Sequence, residues 1–234
     1  MTLNKLVHIL VFFLPLFASA QYKDAGMWTD LSCSFEPTKK WQLSASPEIR
    51  LNENLSRLSR AFVDFGAQYK YKKHFYLSAT LRVGAAHIQD YFEARQRLQL
   101  GIAYKDKIGD FSFAVQSRWQ AAVRPAASEN DADFITTMRN KAQLKYTGLK
   151  GVDLGTSIEL FNNTQQYQQF QLQTWRWVIN VDKKINKQNS IALGYLIQKN
   201  IVESPQEMDF VLLLSYQITF EQKKENEKKV DEVR

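Results

Sequence analysis

The sequence predicts an all-β protein, an antiparallel up-and-down transmembrane β-barrel of about 10–12 strands, and three observations support this class. Apolar and polar residues alternate along many segments of the 234-residue chain. The connections between these segments alternate between short and long, and aromatic residues gather near the segment ends. Because successive side chains of a strand point to opposite faces, such segments give a sheet one apolar and one polar face.

The N-terminus predicts export from the cytoplasm. The stretch MTLNKLVHILVFFLPLFASAQ has Lys5, then an apolar run that ends at Phe17, then Ala-Ser-Ala before Gln21. A basic start, a short apolar run and a small-x-small site are typical of a cleaved signal peptide. We therefore expect removal of residues 1–20, a mature barrel over residues 21–220, and a location in the bacterial outer membrane.

Eleven segments alternate strongly enough to be predicted as strands. Between two of them, in LNENLSRLS, the leucines could form one or two helical turns. Single-chain bacterial barrels have even strand numbers, so we expect one prediction to be wrong: either the first strand is incomplete or a twelfth is hidden. The predicted strands cover residues 26–35, 41–50, 60–71, 75–87, 95–105, 111–123, 135–147, 152–161, 170–182, 190–200 and 208–220.

The connections differ in length and in charge. Lysines gather in the short ones, whereas Asp, Glu, Asn and Gln gather in the longer ones. Strict alternation puts all short turns at one rim, as in outer-membrane barrels with short periplasmic turns and longer external loops. The short connections are EPTKK, KYKKH, KDKIGD, TGLKG and KKINKQN; the longer ones are LNENLSRLSR, IQDYFEA, RPAASENDADF, NNTQQYQQ and VESPQE.

Aromatic residues of the apolar phase predict two membrane interfaces. Their rings favour the boundary between water and lipid, whereas a soluble core would hold them at its centre. A soluble periplasmic β-sandwich or lipocalin-like protein that binds a ligand remains an alternative. The predicted interface residues are Trp41, Tyr69, Tyr71, Phe75, Tyr104, Phe111 and Tyr146 beside the short turns, and Trp119 and Trp175 toward the opposite ends.

Charged residues of the polar phase predict a lumen rich in arginine. Opposite charges in a narrow lumen should pair, and such a network could plug it. Alternatively, the arginines form a constriction that favours anions. We therefore predict a structural or small-solute-permeation protein. The predicted lumen-lining residues are Glu48, Arg50, Asp64, Arg82, Arg95, Arg97, Arg118, Arg139, Lys141, Glu159 and Arg176.

Catalytic and metal-binding signals are weak. His87 with Ser117 could serve an outer-leaflet lipid hydrolase or deacylase, the leading alternative, but the two belong to strands that are not neighbours in a meander. The chain has no HExxH, CxxC or glycine-rich phosphate loop, and the acidic stretch SENDAD would bind divalent cations only weakly. We therefore predict no catalytic residues, no metal and no cofactor. Cys33 is the single cysteine, which excludes an intramolecular disulfide.

The C-terminal part of the chain, with its aromatic-ended last strand, indicates which partners the protein is expected to have. The segment MDFVLLLSYQITF resembles the aromatic-ended last strand that the barrel-insertion machinery reads, and a mixed-charge tail, 221–234, follows and is predicted to be disordered. The expected partners are that machinery and outer-membrane lipids. The net charge of +7 could indicate nucleic acid, but an exported chain seldom meets it, so none is expected. The oligomeric state is left open.

The chain resembles a known family over about residues 26–220. The resemblance is carried by GMWTDLSCSF with KKWQLSASPEIRL, by FVDFGAQYKYKKHFYLSATLRVG, by ARQRLQLGIAYK and by LLLSYQITF. These segments are similar to the outer-membrane β-barrel proteins of the Bacteroidota known as domain of unknown function 2490. The resemblance implies an outer-membrane barrel and implies no particular activity.

Overall fold

The structure, a computed structural model, describes residues 23–88, 90–124, 133–163, 171–202 and 208–221. The described residues form eleven strands and no helix, and so none that could cross a membrane. The predicted signal peptide and the tail beyond Glu221 lie outside them. The strands are β1 (Lys23–Glu36), β2 (Trp41–Asn52), β3 (Arg57–Lys70), β4 (Phe75–Ile88), β5 (Tyr91–Ile108), β6 (Phe111–Arg124), β7 (Asp133–Leu149), β8 (Val152–Asn163), β9 (Gln171–Lys184), β10 (Asn189–Asn200) and β11 (Met208–Glu221).

The eleven strands close into one barrel, which confirms the predicted fold class. Consecutive strands pair antiparallel, whereas β1 pairs with β11 in parallel, from Lys23 opposite Met208 to Glu36 opposite Glu221. A meander reverses direction at each turn, so an odd strand number makes the first and last strands run the same way. The expectation of an even number was therefore wrong, since all eleven predicted segments are strands.

The parallel closure gives the barrel two different rims. The short-turn rim is formed by residues 37–40, 71–74, 109–110, 150–151 and 185–188, and the long-loop rim by the opposite ends of the strands, where the described residues 53–56 connect β2 to β3. β1 begins at the long-loop rim and β11 ends at the short-turn rim.

Two connections of the long-loop rim are shorter than predicted. β2 and β3 stay paired as far as Asn52 and Arg57, and only two residues separate β4 from β5. The helical turns predicted in LNENLSRLS are wrong, because Glu53, Asn54 and Leu55 have φ of 50°, 55° and 71°, outside the right-handed helical region. Continued pairing satisfies backbone groups of both strands that a helical turn would leave without a neighbouring strand.

The barrel is apolar outside and polar inside. Phe65, Leu81 and Leu98 lie side by side on β3, β4 and β5, and each exposes more than 40% of its surface. Among the described residues, the buried set contains eight polar or charged side chains and only four apolar ones. This is the reverse of a soluble core. The alternative of a soluble β-sandwich is therefore wrong, because the sheet is single, closed and polar within.

Aromatic pairs form a band beside the short-turn rim. Three of these pairs are direct cross-strand partners: Trp41 with Tyr69 at 4.9 Å between ring centroids, and Phe75 with Tyr104 and Phe111 with Tyr146 at 5.2 Å. Rings at this separation contribute beyond their buried area.

Two tryptophans of the outward phase lie farther toward the long-loop rim. Trp119 lies eight residues beyond Phe111 on β6, about 27 Å along the strand at roughly 3.4 Å per residue. Trp175 lies near the start of β9, close to the same rim. Tyr71, the last of the predicted interface residues, lies in a short turn with 58% of its surface exposed. The role of all nine aromatic residues at a membrane interface stays a prediction.

Candidate functional site: the lumen

Three cavities follow one another through the barrel. An outer cavity of about 550 Å³ lies at the long-loop rim, a middle cavity of about 620 Å³ follows, and an inner cavity of about 420 Å³ lies at the short-turn rim. The middle and inner cavities share Ala192 and Ser215. The outer and middle cavities share seven residues, here called the shared ring: Trp28, Arg50, Arg60, Arg82, Arg97, Arg176 and Gln198.

The lumen-lining residues expected from the sequence lie along these walls. Strand alternation turns them inward, opposite the apolar outer face. Arg95 lines the outer cavity, where it forms an ion pair with Glu93. The other ten line the middle cavity: Glu48, Arg50, Asp64, Arg82, Arg97, Arg118, Arg139, Lys141, Glu159 and Arg176.

Glu159 joins three arginines from neighbouring strands. Its carboxylate accepts hydrogen bonds from Arg139 Nε at 3.1 Å and Nη2 at 2.8 Å, and from Arg118 Nη2 at 2.5 Å. Arg176 Nη1 lies 3.5 Å from Oε2. The side chain of Glu159 is 6% exposed, so this contact is sheltered from water. One carboxylate therefore neutralises only part of the charge of three guanidinium groups.

The carboxylates on β2 and β3 are matched by arginines. Asp64 accepts hydrogen bonds from Arg82 Nε at 2.6 Å and Nη2 at 2.5 Å, a bidentate pair between directly opposed residues. Glu48 accepts a hydrogen bond from Arg50 Nε at 2.6 Å, and its other oxygen lies 3.5 Å from Arg82. Arg50 and Arg82 therefore each have a carboxylate partner.

Three inward aromatic rings hold these arginines and were not predicted. The Arg50 guanidinium lies 3.6 Å from the centroid of the Trp28 ring, and that of Arg82 lies 3.3 Å from Phe62. The third ring, Phe161, contacts Arg139 at 4.5 Å and Arg176 at 4.8 Å. Stacking of a guanidinium on a ring is favourable and limits its rotation.

The sequence contains a signal for these rings. Trp28 alternates with Asp30 in a run of inward residues, and Phe161 follows Glu159 in phase. Phe62, however, is followed directly by Val63, which points outward. Because both residues are apolar, the sequence pattern does not show which of the two side chains points into the lumen. A prediction from the polar residues of the phase alone therefore misses the aromatic members of the lumen wall.

Two basic residues of the middle cavity have no carboxylate partner among the described residues. Arg97 lies directly opposite Arg82 on the next strand, and its Nε has no hydrogen-bond partner. Lys141 lies between Gln116 and Glu159 in the register but forms no ion pair. Gln99 is 5% exposed and its Oε1 also has no partner. Arg97 and Lys141 therefore give the cavity two cationic groups that no carboxylate of the described residues neutralises.

The excess positive charge lies on one side of the middle cavity. Eight basic and four acidic side chains line it, an excess of four positive charges. Strands β1–β4, here called the paired half, contribute equal numbers of acidic and basic side chains. Strands β5–β9, here called the cationic half, carry the whole excess of positive charge. The paired half contributes Asp30, Glu48, Asp64, Arg50, Arg60 and Arg82, and the cationic half contributes Arg97, Arg118, Arg139, Lys141, Arg176 and Glu159.

The structure separates the residues considered for catalysis. Ser117 on β6 pairs with Ile102 on β5, and Ile102 pairs with Leu77 on β4. Leu77 is ten residues along β4 from His87, so Ser117 and His87 lie far apart along the barrel. His87 instead accepts a hydrogen bond from Arg57 Nε at 2.9 Å. A catalytic pair of His87 and Ser117 is therefore wrong. The described part of the chain contains no group of three His, Cys, Asp or Glu placed to hold a metal, and most of SENDAD lies outside it.

The comparisons with known proteins concern family and fold. No curated protein matches the chain. Among solved structures, the NanC porin in a rhombohedral crystal form is similar, with a TM-score of 0.48, 12% identity, and coverage of 74% of this chain and 85% of that chain. Residues 25–209 match the family described as protein of unknown function (DUF2490). The chain therefore belongs to the DUF2490 family.

Proposed function

We propose that this protein is an outer-membrane barrel whose lumen passes small anionic solutes. The observation that carries the proposal is the excess of positive charge on the cationic half, where Arg97 and Lys141 have no carboxylate partner among the described residues. A cavity lined by one sign of charge and enclosed by low-dielectric walls concentrates the opposite ion. Rings of arginine and lysine are how pores favour anions.

The outer face supports a location in a membrane. Leucine, isoleucine, valine and aromatic side chains cover it, and their exposure to water would be costly at about 25 cal/mol per Å². Strands of 12 to 18 residues exceed the roughly 9–11 that a tilted strand needs to cross the hydrocarbon region. The predicted signal peptide and the outer membrane as destination are parts of this same proposal.

A permeation role explains the charge imbalance better than a structural role. A barrel that served only as a membrane anchor would gain from balanced ion pairs, as in the paired half. Like charges without partners instead lower stability, since each must be held away from bulk water without compensation. The cavities lie next to one another along the barrel, with the shared ring and then Ala192 and Ser215 as common walls, and a permeating solute would pass along this series.

Cell fractionation tests the location. We expect the protein in the outer-membrane fraction, migrating faster in SDS gels before boiling than after it, because a closed barrel stays compact in detergent. Recovery as a soluble periplasmic protein would overturn the proposed location.

Planar bilayers test the permeation. We expect stepwise conductance and, under a KCl gradient, a reversal potential that shows preference for chloride. Protein boiled before reconstitution is the matched control and should give no steps. Absence of conductance would overturn the permeation role, and preference for potassium would overturn the proposed role of the arginines.

A further inference from the structure

The middle cavity has an apolar wall across from its cationic wall. β10 and β11 contribute no charged side chain to this cavity: Ala192, Gly194, Leu196 and Leu213 form an apolar surface, and the polar Gln198 and Ser215 lie at its two ends. In the closed barrel, β11 and β5 are separated by five strands on one side and four on the other. The apolar wall therefore faces the strands that carry Arg97, Gln99 and Arg118.

The apolar wall is flat where Gly194 lies. A Cβ at this position would lie 3.3 Å from Cβ of Leu213 and 3.2 Å from the Ile179 carbonyl oxygen, tighter than ordinary contact. Glycine thus lets the neighbouring strands approach closely, and it adds no side chain to the wall. Leu196, next in phase, is only 2% exposed and forms a fixed edge. Such a surface suits a ring or a short alkyl group.

The opposite wall supplies unused polar groups. Arg97 Nε, Arg118 Nε and Gln99 Oε1 are buried without hydrogen-bond partners, and Lys141 lies beside them without an ion pair. Because Arg97 and Lys141 form no ion pair with the described residues, no carboxylate of the barrel neutralises their charge on this wall. The guanidinium of Arg97, with five donors in a planar fork, fits a carboxylate well.

From these two walls we infer that the middle cavity binds a small organic carboxylate that has an apolar ring or short chain. The carboxylate contacts Arg97 and Lys141, and the apolar part lies on Gly194 and Leu213, beside the buried Leu196. This inference rests on the proposed function and names the class of anion that the lumen prefers. A cavity of about 620 Å³ lies within the usual range for small-molecule sites, roughly 300–1,000 Å³.

The two walls predict an order of affinity among simple anions. Inorganic phosphate and acetate can use only the cationic wall, whereas benzoate can use both. Removal of a phenyl ring from water is favourable in proportion to its buried area, so we expect benzoate to bind at least tenfold more tightly than acetate. Both should weaken together as salt rises, because the shared part of their binding is electrostatic.

Calorimetric titration of the detergent-solubilised full-length protein tests this order. The probes are sodium benzoate, acetate and phosphate at low ionic strength, and titration of benzoate into micelles alone corrects for partition into detergent. We expect Leu213→Asn, which keeps the size of the side chain, to reduce benzoate binding several-fold and to leave acetate unchanged. Arg97→Gln should weaken both anions by the same factor.

The possible results separate this inference from the proposed function. Equal affinities for benzoate and acetate, or benzoate binding that Leu213→Asn does not change, would overturn the assignment of the apolar wall. Absence of binding in a protein that still conducts anions selectively would overturn the binding site while the permeation role stands. Binding with the expected order in a protein that conducts no ions would support the site and overturn permeation.

Discussion

The paired half and the cationic half of the lumen use arginine in different ways. In the paired half, Arg50 and Arg82 each have a carboxylate within 2.6 Å and an aromatic ring against the guanidinium. In the cationic half, three arginines share Glu159 and two further basic residues have no carboxylate partner among the described residues. The difference indicates that ion pairs stabilise the first half, whereas in the proposed function the second half keeps its charge available to a solute.

Removal of Glu159 should have the largest effect on stability. In Glu159→Gln, Arg118, Arg139 and Arg176 lose their shared carboxylate, and we expect the free energy of unfolding to fall by about 3–5 kcal/mol, as when one partner of a buried ion pair is removed. The measurement is urea unfolding in micelles followed by tryptophan fluorescence.

Glu48→Gln is the matched control in the paired half. Arg82 keeps Asp64 and Arg50 keeps its contact with Trp28, so we expect a smaller loss of about 1–3 kcal/mol. A loss as large as that of Glu159→Gln would contradict the view that the cationic half depends more on its single carboxylate than the paired half depends on Glu48.

Two adjacent arginines should differ in their contribution to stability. Arg82 and Arg97 lie directly opposite each other on β4 and β5, but only Arg82 forms ion pairs. We expect Arg82→Gln to lower the free energy of unfolding by about 3 kcal/mol, because Asp64 loses its partner. Arg97→Gln should change it by less than about 1 kcal/mol or stabilise the barrel, because repulsion between like charges is relieved. Equal losses in the same urea titration would show that Arg97 is also a structural residue.

The aromatic rings inside the lumen should make the smallest contribution to the free energy of unfolding. Phe62→Leu keeps an apolar side chain in place but removes the ring beneath Arg82, and we expect a loss of about 0.5–2 kcal/mol in thermal or urea unfolding. Phe65→Leu, on the outer face of the same strand, is the control and should cost less. If the control costs as much, the contact between ring and guanidinium does not contribute to stability.

Alternation along the strands made most of the barrel predictable. Each of the eleven predicted segments overlaps a strand, and the charged residues of the polar phase all point into the lumen because the side-chain period of a strand is fixed at two. The parallel closure could not be predicted, because it depends on whether the two distant ends β1 and β11 meet, and no local pattern in either strand encodes that contact.

The distribution of charge across the lumen also could not be predicted from the sequence. Phase indicates that Glu159 and Arg118 point inward, but they are 41 residues apart, and their contact depends on the register of β6, β7 and β8. The same is true of Arg97, whose lack of an ion pair is visible only once the positions of Asp64 and Glu159 are known. Local pattern therefore predicts the direction of a side chain, and register determines its partner.

The most direct test of the account is the reversal potential of two double variants in a KCl gradient at low ionic strength, where screening is weak. Arg97→Gln with Lys141→Gln removes two charges from the cationic half, and Asp64→Asn with Arg82→Gln removes one neutral ion pair from the paired half. We predict that the first variant moves the reversal potential of an anion-selective wild type toward zero and that the second leaves it unchanged. Equal shifts in both variants, or no shift in the first, would contradict the claim that the cationic half selects the solute.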